Sequence, residues 1–297
     1  MSELPDTAAA RARRGRASPT RRDHAGNLEL SFARDYDGRT FLHRQRASYP
    51  FHVCRTHSFP GDPPGMATLY QQSCSGGIYE GDALRLRFVA DRGARVHLTS
   101  QASTIVHTMP KAAASQAVEL EARAGSYLEY MPDPLILFPQ ARLAASLRVR
   151  AADTACVVIA DSFITHDPYA TGESFAWLEN DAWIEDHDGA VLARDRFRAE
   201  GTALALHRPG INGAYAAQGT LLLFAPQHEP PRLVADLRSE IDELSGAYAG
   251  ASLLPHDCGA WVRILAADGA ALRSAMHALW SRARLALCGR RPVVRRK

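Results

Sequence analysis

The 297-residue chain is 46% hydrophobic and 23% charged, with a formal net charge of +3, which suits one large or two smaller globular domains with ample apolar material for a core. Its five cysteines (Cys54, Cys74, Cys156, Cys258 and Cys288) are odd in number, widely spaced and without a Cys-x-x-Cys pair; this argues against a disulfide framework and points to a reducing compartment, so the cytoplasm is the expected location. There is no run of about 18 apolar residues and no apolar segment near the start, so neither a membrane span nor a signal peptide is expected.

Residues 1–25 are rich in Ala, Arg and polar residues without an apolar period, and read as a disordered, Arg-rich extension. A basic tail over 291–297 closes the chain. No aromatic residue interleaves with the arginines of the extension and no nucleic-acid-binding motif follows them, so a nucleic-acid partner is not expected. A single β-rich domain is expected over residues 26–290. It opens where Leu28, Leu30 and Phe32 alternate; Thr40 to Arg44 is a second short strand. A loop punctuated by Pro and Gly follows, and Ala67 to Gln71 leads into a bend formed by Gly76, Gly77 and Gly81 and closed by Asp82.

From Leu84 a strand–turn–strand unit recurs. The first unit, Leu84 to Ser100, turns at Gly93; the second, Val118 to Met131, at Gly125; the third, Leu147 to Phe163, near Asp153. The turns are 125 − 93 = 32 and 153 − 125 = 28 residues apart. Small polar turns at that spacing predict stacked β-layers, each burying a face against the next. Trp183-Ile184 and Val191-Leu192 flank a further turn at Asp188-Gly189, and Gly219 to Phe224 continues the β pattern. Leu233, Leu237, Ile241 and Leu244 form one helical stripe. After a strand at Trp261 to Leu265, a second helix has Asp268 as its N-cap, Leu272, Met276, Leu279, Ala283 and Leu287 as its apolar face, and Gly289 as its stop. The predicted fold is mainly β: a layered, β-helix-like stack of hairpins with two C-terminal α-helices.

Catalytic signatures are absent. The glycine bend is followed by neither Gly-Lys-Ser/Thr nor a helix, so it is not a phosphate-binding loop. There is no Gly-x-Ser-x-Gly elbow and no His-Glu-x-x-His, and no enzyme is expected. Cys54-x-x-His57 is a close Cys/His pair in a loop; His97 and His107 read as structural histidines, and Glu185 to Gly189 as a charged turn. No metal-ligand set is assigned. Asp161 stands out because it interrupts the apolar run Val157 to Ile164. It reads either as half of a buried salt bridge or as a carboxylate facing a water-filled channel.

Gly76-Gly77-Ile78-x-x-Gly81-Asp82, then strand, turn and strand, then Leu98-Thr99-Ser100-Gln101-Ala102-Ser103-Thr104, resembles the signature of the urease accessory protein UreD family. The likeness continues in order through Leu128-Glu129-Tyr130-Met131-Pro132-Asp133 to Phe138-Pro139, Gly172-Glu173-Ser174-Phe175, Gly219-Thr220-Leu221 and the closing helix with Leu279-Trp280 and Gly289. It covers residues 27–290. One position departs: Ile105 stands where the family has a basic residue, so the contact made by that base is lost or replaced.

The resemblance implies a urease accessory protein that scaffolds the helical protein UreF, and through it the GTPase UreG, on apo-urease and helps pass nickel to the urease site. It implies no tightly bound cofactor, only transient nickel. Candidate channel-lining residues are Asp82, Gln101, Ser103, Thr104, Asp161 and Glu173. Candidate partner contacts are Pro132, Asp133, Phe138 and Trp280, the apolar closing helix being expected to keep some surface for a partner. Two other readings stay open: a β-rich enzyme with a loop active site near Asp161 and Glu173, and a β-scaffold with no metal role.

Overall fold

The computed structural model describes residues 25–293. The Arg-rich extension read over 1–25 lies outside the described residues save for Ala25, as does the basic tail beyond residue 293. The chain opens with β1 (Ala25–Arg34), β2 (Thr40–Ala47), β3 (Phe51–Val53) and β4 (Ala67–Ser73). A stack follows: β5 (Ala83–Ala90), β6 (Arg95–Ser100), short β7 (Thr104–Val106), β8 (Ala114–Ala122), β9 (Tyr127–Met131), short β10 (Leu135–Leu137), β11 (Arg142–Ala151) and β12 (Cys156–Thr165). The hairpin of β13 (Trp177–Glu185) and β14 (Val191–Glu200) comes next. The remainder is a single-turn α1 (Gly201–Leu204), β15 (Ala217–Phe224), α2 (Pro230–Ile241), β16 (Ala247–Leu253), β17 (Gly259–Ala266) and α3 (Gly269–Cys288). The layered, mainly β fold and the two long C-terminal helices are present; α1 and β16 are elements the sequence pattern does not announce.

Two sheets face each other. One runs β14-β13-β11-β8-β5-β1-β2; the other runs β16-β17-β15-β12-β9-β6-β4-β3. The recurring units are arches, a different connection from the hairpins read in the sequence. The two strands of each unit lie in opposite sheets and meet through side chains, while each pairs in parallel with its equivalent one layer away. Thus Leu86 lies beside Val118 and Val118 beside Leu147. In the other sheet Val96 lies beside Leu128 and Leu128 beside Val157. Both ladders step by the same amounts, 118 − 86 = 128 − 96 = 32 and 147 − 118 = 157 − 128 = 29 residues, close to the spacing of the turns. At the corners Gly93 donates to the Ala124 carbonyl and Gly125 to the Thr154 hydroxyl, so the turns stack as well.

Alternation along each strand divides the chain into two cores. Leu84, Leu86, Phe88, Val96, Leu98, Leu128, Val157 and Ile159 pack between the sheets. Val158, Ala160, Leu221 and Leu223 point the other way and receive Leu233 and Leu237 of α2 and Leu272, Leu279, Ala283 and Leu287 of α3. Both ends of α3 follow the sequence: Asp268 accepts from the Ala270 and Ala271 amides, and Gly289 closes the helix in the left-handed region at φ 70°.

A buried ionic cluster fastens α3 to the stack. Arg284 and Glu129 are both fully buried. Glu129 Oε1 accepts from Tyr127 Oη (2.6 Å), Arg284 Nε (2.9 Å) and Trp280 Nε1 (3.0 Å). Its Oε2 receives Arg284 Nη2 and lies 2.6 Å from His97 Nδ1. Arg284 Nη1 donates to Asp62 at 3.0 Å, and the guanidinium lies 4.6 Å from the centre of the Trp280 ring. Burial alone raises the Glu129 carboxyl; the charge and hydrogen bonds of Arg284, with the bond to His97, more than offset it and hold the group well below the usual carboxylate range.

Arg284→Leu leaves two buried carboxylates without their cation and should lower stability by about 3–5 kcal/mol, read by urea denaturation; a loss below about 1 kcal/mol would show that the cluster is not stabilising. The glycine bend gives a second test. Gly77 sits at φ 145°, and a Cβ there runs into the Ile105 carbonyl oxygen, which already accepts from Ile78 N at 2.8 Å. Gly77→Val should cost on the order of 1–3 kcal/mol, and an unchanged melting temperature would show an unstrained bend.

Candidate functional site

Strand β12 places Val157, Ile159, Asp161 and Phe163 on its inner face by simple alternation. Asp161 therefore enters the space between the sheets, between Ile159 and Phe163 of the inter-sheet core. From the opposing sheet Asn180 of β13, flanked on its own inner face by Leu178 and Ala182, donates through Nδ2 to Asp161 Oδ2. Thr220 of β15 is the direct ladder neighbour of Asp161. Arg263 of β17 is held by Asp195 of β14 in a two-pronged contact at 2.9 and 3.0 Å. One level of the sandwich is thus polar from one sheet to the other. It surrounds a cavity of about 80 Å³, enough for a few water molecules, which Asp161, Asn180, Asp195, Thr220, Thr104 and Asp133 help to line.

The electrostatics follow from this placement. Burial pushes the Asp161 carboxyl up to about 6; Arg263 pulls it down, Asp195 pushes it up, and the hydrogen bond from Asn180 favours the charged form. The direct partner of Asp161 is a neutral amide, and the nearby guanidinium is already engaged by Asp195. Asp161 thus lies on a cavity lined by both polar and apolar side chains.

The six candidate lining residues fall in different places. Thr104 and Asp161 share the inter-sheet cavity. Gln101 and Ser103 line a groove of about 660 Å³ on the outer face, against α3. Pro132 and Asp133 border both spaces, and Asp133 N donates to Ser100 Oγ at 2.8 Å. Glu173 lines a third cavity of about 290 Å³ with Phe163 and His166, and accepts from Gln140 Nε2 at 3.1 Å. Asp82 belongs to none of these three; it is buried and accepts from the Tyr79 amide at 2.8 Å, closing its own turn beside Gly81.

The candidate partner contacts also divide. Phe138 is half-buried and packs on His107 and His166, with ring centres 5.5 and 5.8 Å away. Trp280 is 8% exposed, bonded to Glu129 and stacked on His97, so the apolar face of α3 is used inside the chain.

Among the described residues no group of three or more His, Cys, Asp and Glu is placed to hold a metal ion. All five cysteines are free thiols. Cys54 Sγ donates to Gln72, and the Glu185–Gly189 turn is occupied by the Arg148–Glu185 pair and by Asp186 accepting from Asp188 and Ala190. No helix of the described residues is long and apolar enough to cross a membrane.

Comparison with known proteins decides the family. The family model described as UreD urease accessory protein matches residues 24–297. The chain belongs to the UreD family. It is 38% identical over 268 residues to urease accessory protein UreD 1 of Pseudomonas syringae pv. syringae, covering 90% of this chain and 94% of that one. Similarity to urease accessory protein UreD 1 of Methylorubrum populi is also 38%, over 90% of each chain. With urease accessory protein UreD 2 of Streptomyces griseus it is 34%, over 98% and 96%. UreD is an accessory family and not an enzyme family, which removes the loop-active-site reading. Within this UreD chain the sequence points to Asp161, and to Thr220 only as part of Gly219-Thr220-Leu221; Asn180 and Asp195 carry no such signal, and the register brings residues of four strands to one level.

The Asp161 environment carries a stability signature. Its folded-state pKa lies above the ordinary carboxylate value of 3.8, so the residue is neutral in both states at low pH and the folded state loses stability as pH rises through about 6. Asp161→Asn keeps a partner for Asn180 and removes that loss. The variant should match the parent at pH 4 and exceed it at pH 8 by roughly 1–2 kcal/mol. A constant difference across that range in thermal melts would show that Asp161 does not titrate in this way.

Proposed function

We propose that this chain is the scaffold and ion conduit of a urease-maturation assembly. It docks on apo-urease, holds the helical protein UreF and through it the GTPase UreG, and lets nickel pass through the polar level between its two sheets. The supporting observation is the Asp161 carboxylate on a cavity between the two sheets, with no group of three or more His, Cys, Asp and Glu placed to hold a metal among the described residues. A transit path needs oxygen ligands that bind a divalent ion weakly and in succession, because a tight imidazole or thiolate site would retain it. Asp161, Asn180, Thr220 and Asp133 supply such oxygens, and the outer groove shares Pro132 and Asp133 with this cavity.

The negative potential of one carboxylate in a low-dielectric slot draws a cation inward. Protonation removes that potential, so nickel passage should weaken as pH falls through about 6. Nickel is cargo in this scheme, and the chain contributes positioning and electrostatics without bond chemistry.

Co-expression with urease and the other accessory proteins tests the reading. Asp161→Ala should leave the chain folded and able to capture UreF, yet lower nickel content and urease activity roughly tenfold. Glu173→Ala should have a smaller effect, and the double change a larger one. Full activation in the double variant would leave a scaffold with no metal role.

A further inference from the structure

Among the described residues the two sheets end in five edge strands, β2, β3, β7, β14 and β16, and all but β16 are protected, β7 by having only three residues. Strand β3 has only three residues. Strand β2 carries His43, Arg44 and Arg46, and its pairing is broken by a bulge opposite Ser31 and Phe32. Strand β14 carries Arg194, Arg196 and Arg198, ion-paired to Asp181 and Glu179. Charges, bulges and shortness are the usual means of keeping an edge from pairing with another chain. Strand β16 has none of them. Its seven residues, Ala247-Tyr248-Ala249-Gly250-Ala251-Ser252-Leu253, include no charge and no proline, and its pairing with β17 runs without a break.

The orientation of its backbone follows from its ends. Gly246 O accepts from Ala267 N, and Leu254 N donates to Gly259 O. Even-numbered residues therefore bond to β17, and Ala247, Ala249, Ala251 and Leu253 turn their amides and carbonyls to the open side. The Ala251 carbonyl confirms this parity, since Arg238 of α2 reaches over the edge and donates to it at 3.0 Å. On the face away from the helices Tyr248 is 67% exposed and packs on Tyr215.

We infer that the open edge of β16 pairs antiparallel with the same edge of a second copy of this chain, across a two-fold axis at Gly250. The strand is its own complement. Centred on Gly250, Ala249 faces the partner's Ala251 and Ala247 faces the partner's Leu253, the register in which all outward amides and carbonyls find each other in about eight hydrogen bonds. Tyr248 lies opposite the partner's Ser252, and Gly250 opposite its own copy, where close approach of the backbones meets no side chain. The paired strands themselves carry no charge. Arg238 must release Ala251 on pairing, which makes the contact reversible. This inference is independent of the proposed passage of nickel.

Gly250 gives the test. It is not in the left-handed region, and a Cβ added there meets nothing within 4 Å, so Gly250→Glu and Gly250→Lys should melt like the parent. In sedimentation equilibrium the full-length chain should show a concentration-dependent dimer. Each charged variant sets like charges across the axis and should raise the dissociation constant roughly tenfold. An equimolar mixture of the two variants should restore the dimer. For a chain of limited solubility, Gly250→Cys should cross-link to a dimer on oxidation in cell lysate, whereas Ser252→Cys, which faces Tyr248, should not. A parent that stays monomeric at every concentration, variants that dimerise like the parent, or equal cross-linking at both positions would overturn the inference. Binding of an unrelated extended peptide to the edge without self-association would overturn it as well.

Discussion

The meeting of Arg284 with Glu129 is the contact on which the two layers of this protein depend. A carboxylate and a guanidinium removed from water lose several kcal/mol of hydration each, and their attraction offsets this only when every remaining donor and acceptor is met. Here Tyr127, His97, Trp280 and Asp62 complete the set. Pairs of this kind specify placement more than they add net stability. Only one position of α3 on the sheet brings Arg284 over Glu129. Strand β9 makes the arrangement possible by alternation: Leu128 and Tyr130 join the inter-sheet core, while Tyr127 and Met131 join the helix-side core. One five-residue strand thus belongs to both cores.

Much of this was legible in the chain. Turns at Gly93 and Gly125, the alternation of Leu84, Leu86 and Phe88, and the caps of α3 are local signals, and local physics decides them. The pairing partners were not legible. Alternation tells which face of a strand is buried and is silent on which neighbour it bonds, so arches and hairpins look alike. Strand β16 was missed because Ala, Gly and Ser give no contrast between its faces. Nothing local to Glu129 marks it as buried, and its partner lies 155 residues away.

The candidate site was legible only where it broke a pattern. Asp161 interrupts an apolar run and so announced itself. Asn180 and Thr220 sit in strands with other polar residues, and nothing local separates an inward amide from an outward one. Motif proximity misled in the opposite sense: Asp82 and Glu173 belong to the same family signature as the polar run, yet Asp82 holds a turn and Glu173 lies in another cavity. The polar level itself conflicts with packing, because two sheets of this composition could close over apolar side chains throughout. Local rules are commonly broken where function requires it.

The distance in sequence between Glu129 and Arg284 has a temporal meaning during synthesis. Asp62 and Glu129 are made early, and the stack can form around them layer by layer. Their cation arrives 155 residues after Glu129, which at ribosomal speeds is roughly 8 to 30 seconds. Through that interval the outer face of β9 and β12 lacks its helix and presents carboxylates without their arginine beside uncovered Val158 and Ala160. The nascent protein therefore has a defined period in which a folding helper, or a maturation partner already present, meets a surface that the finished molecule no longer displays.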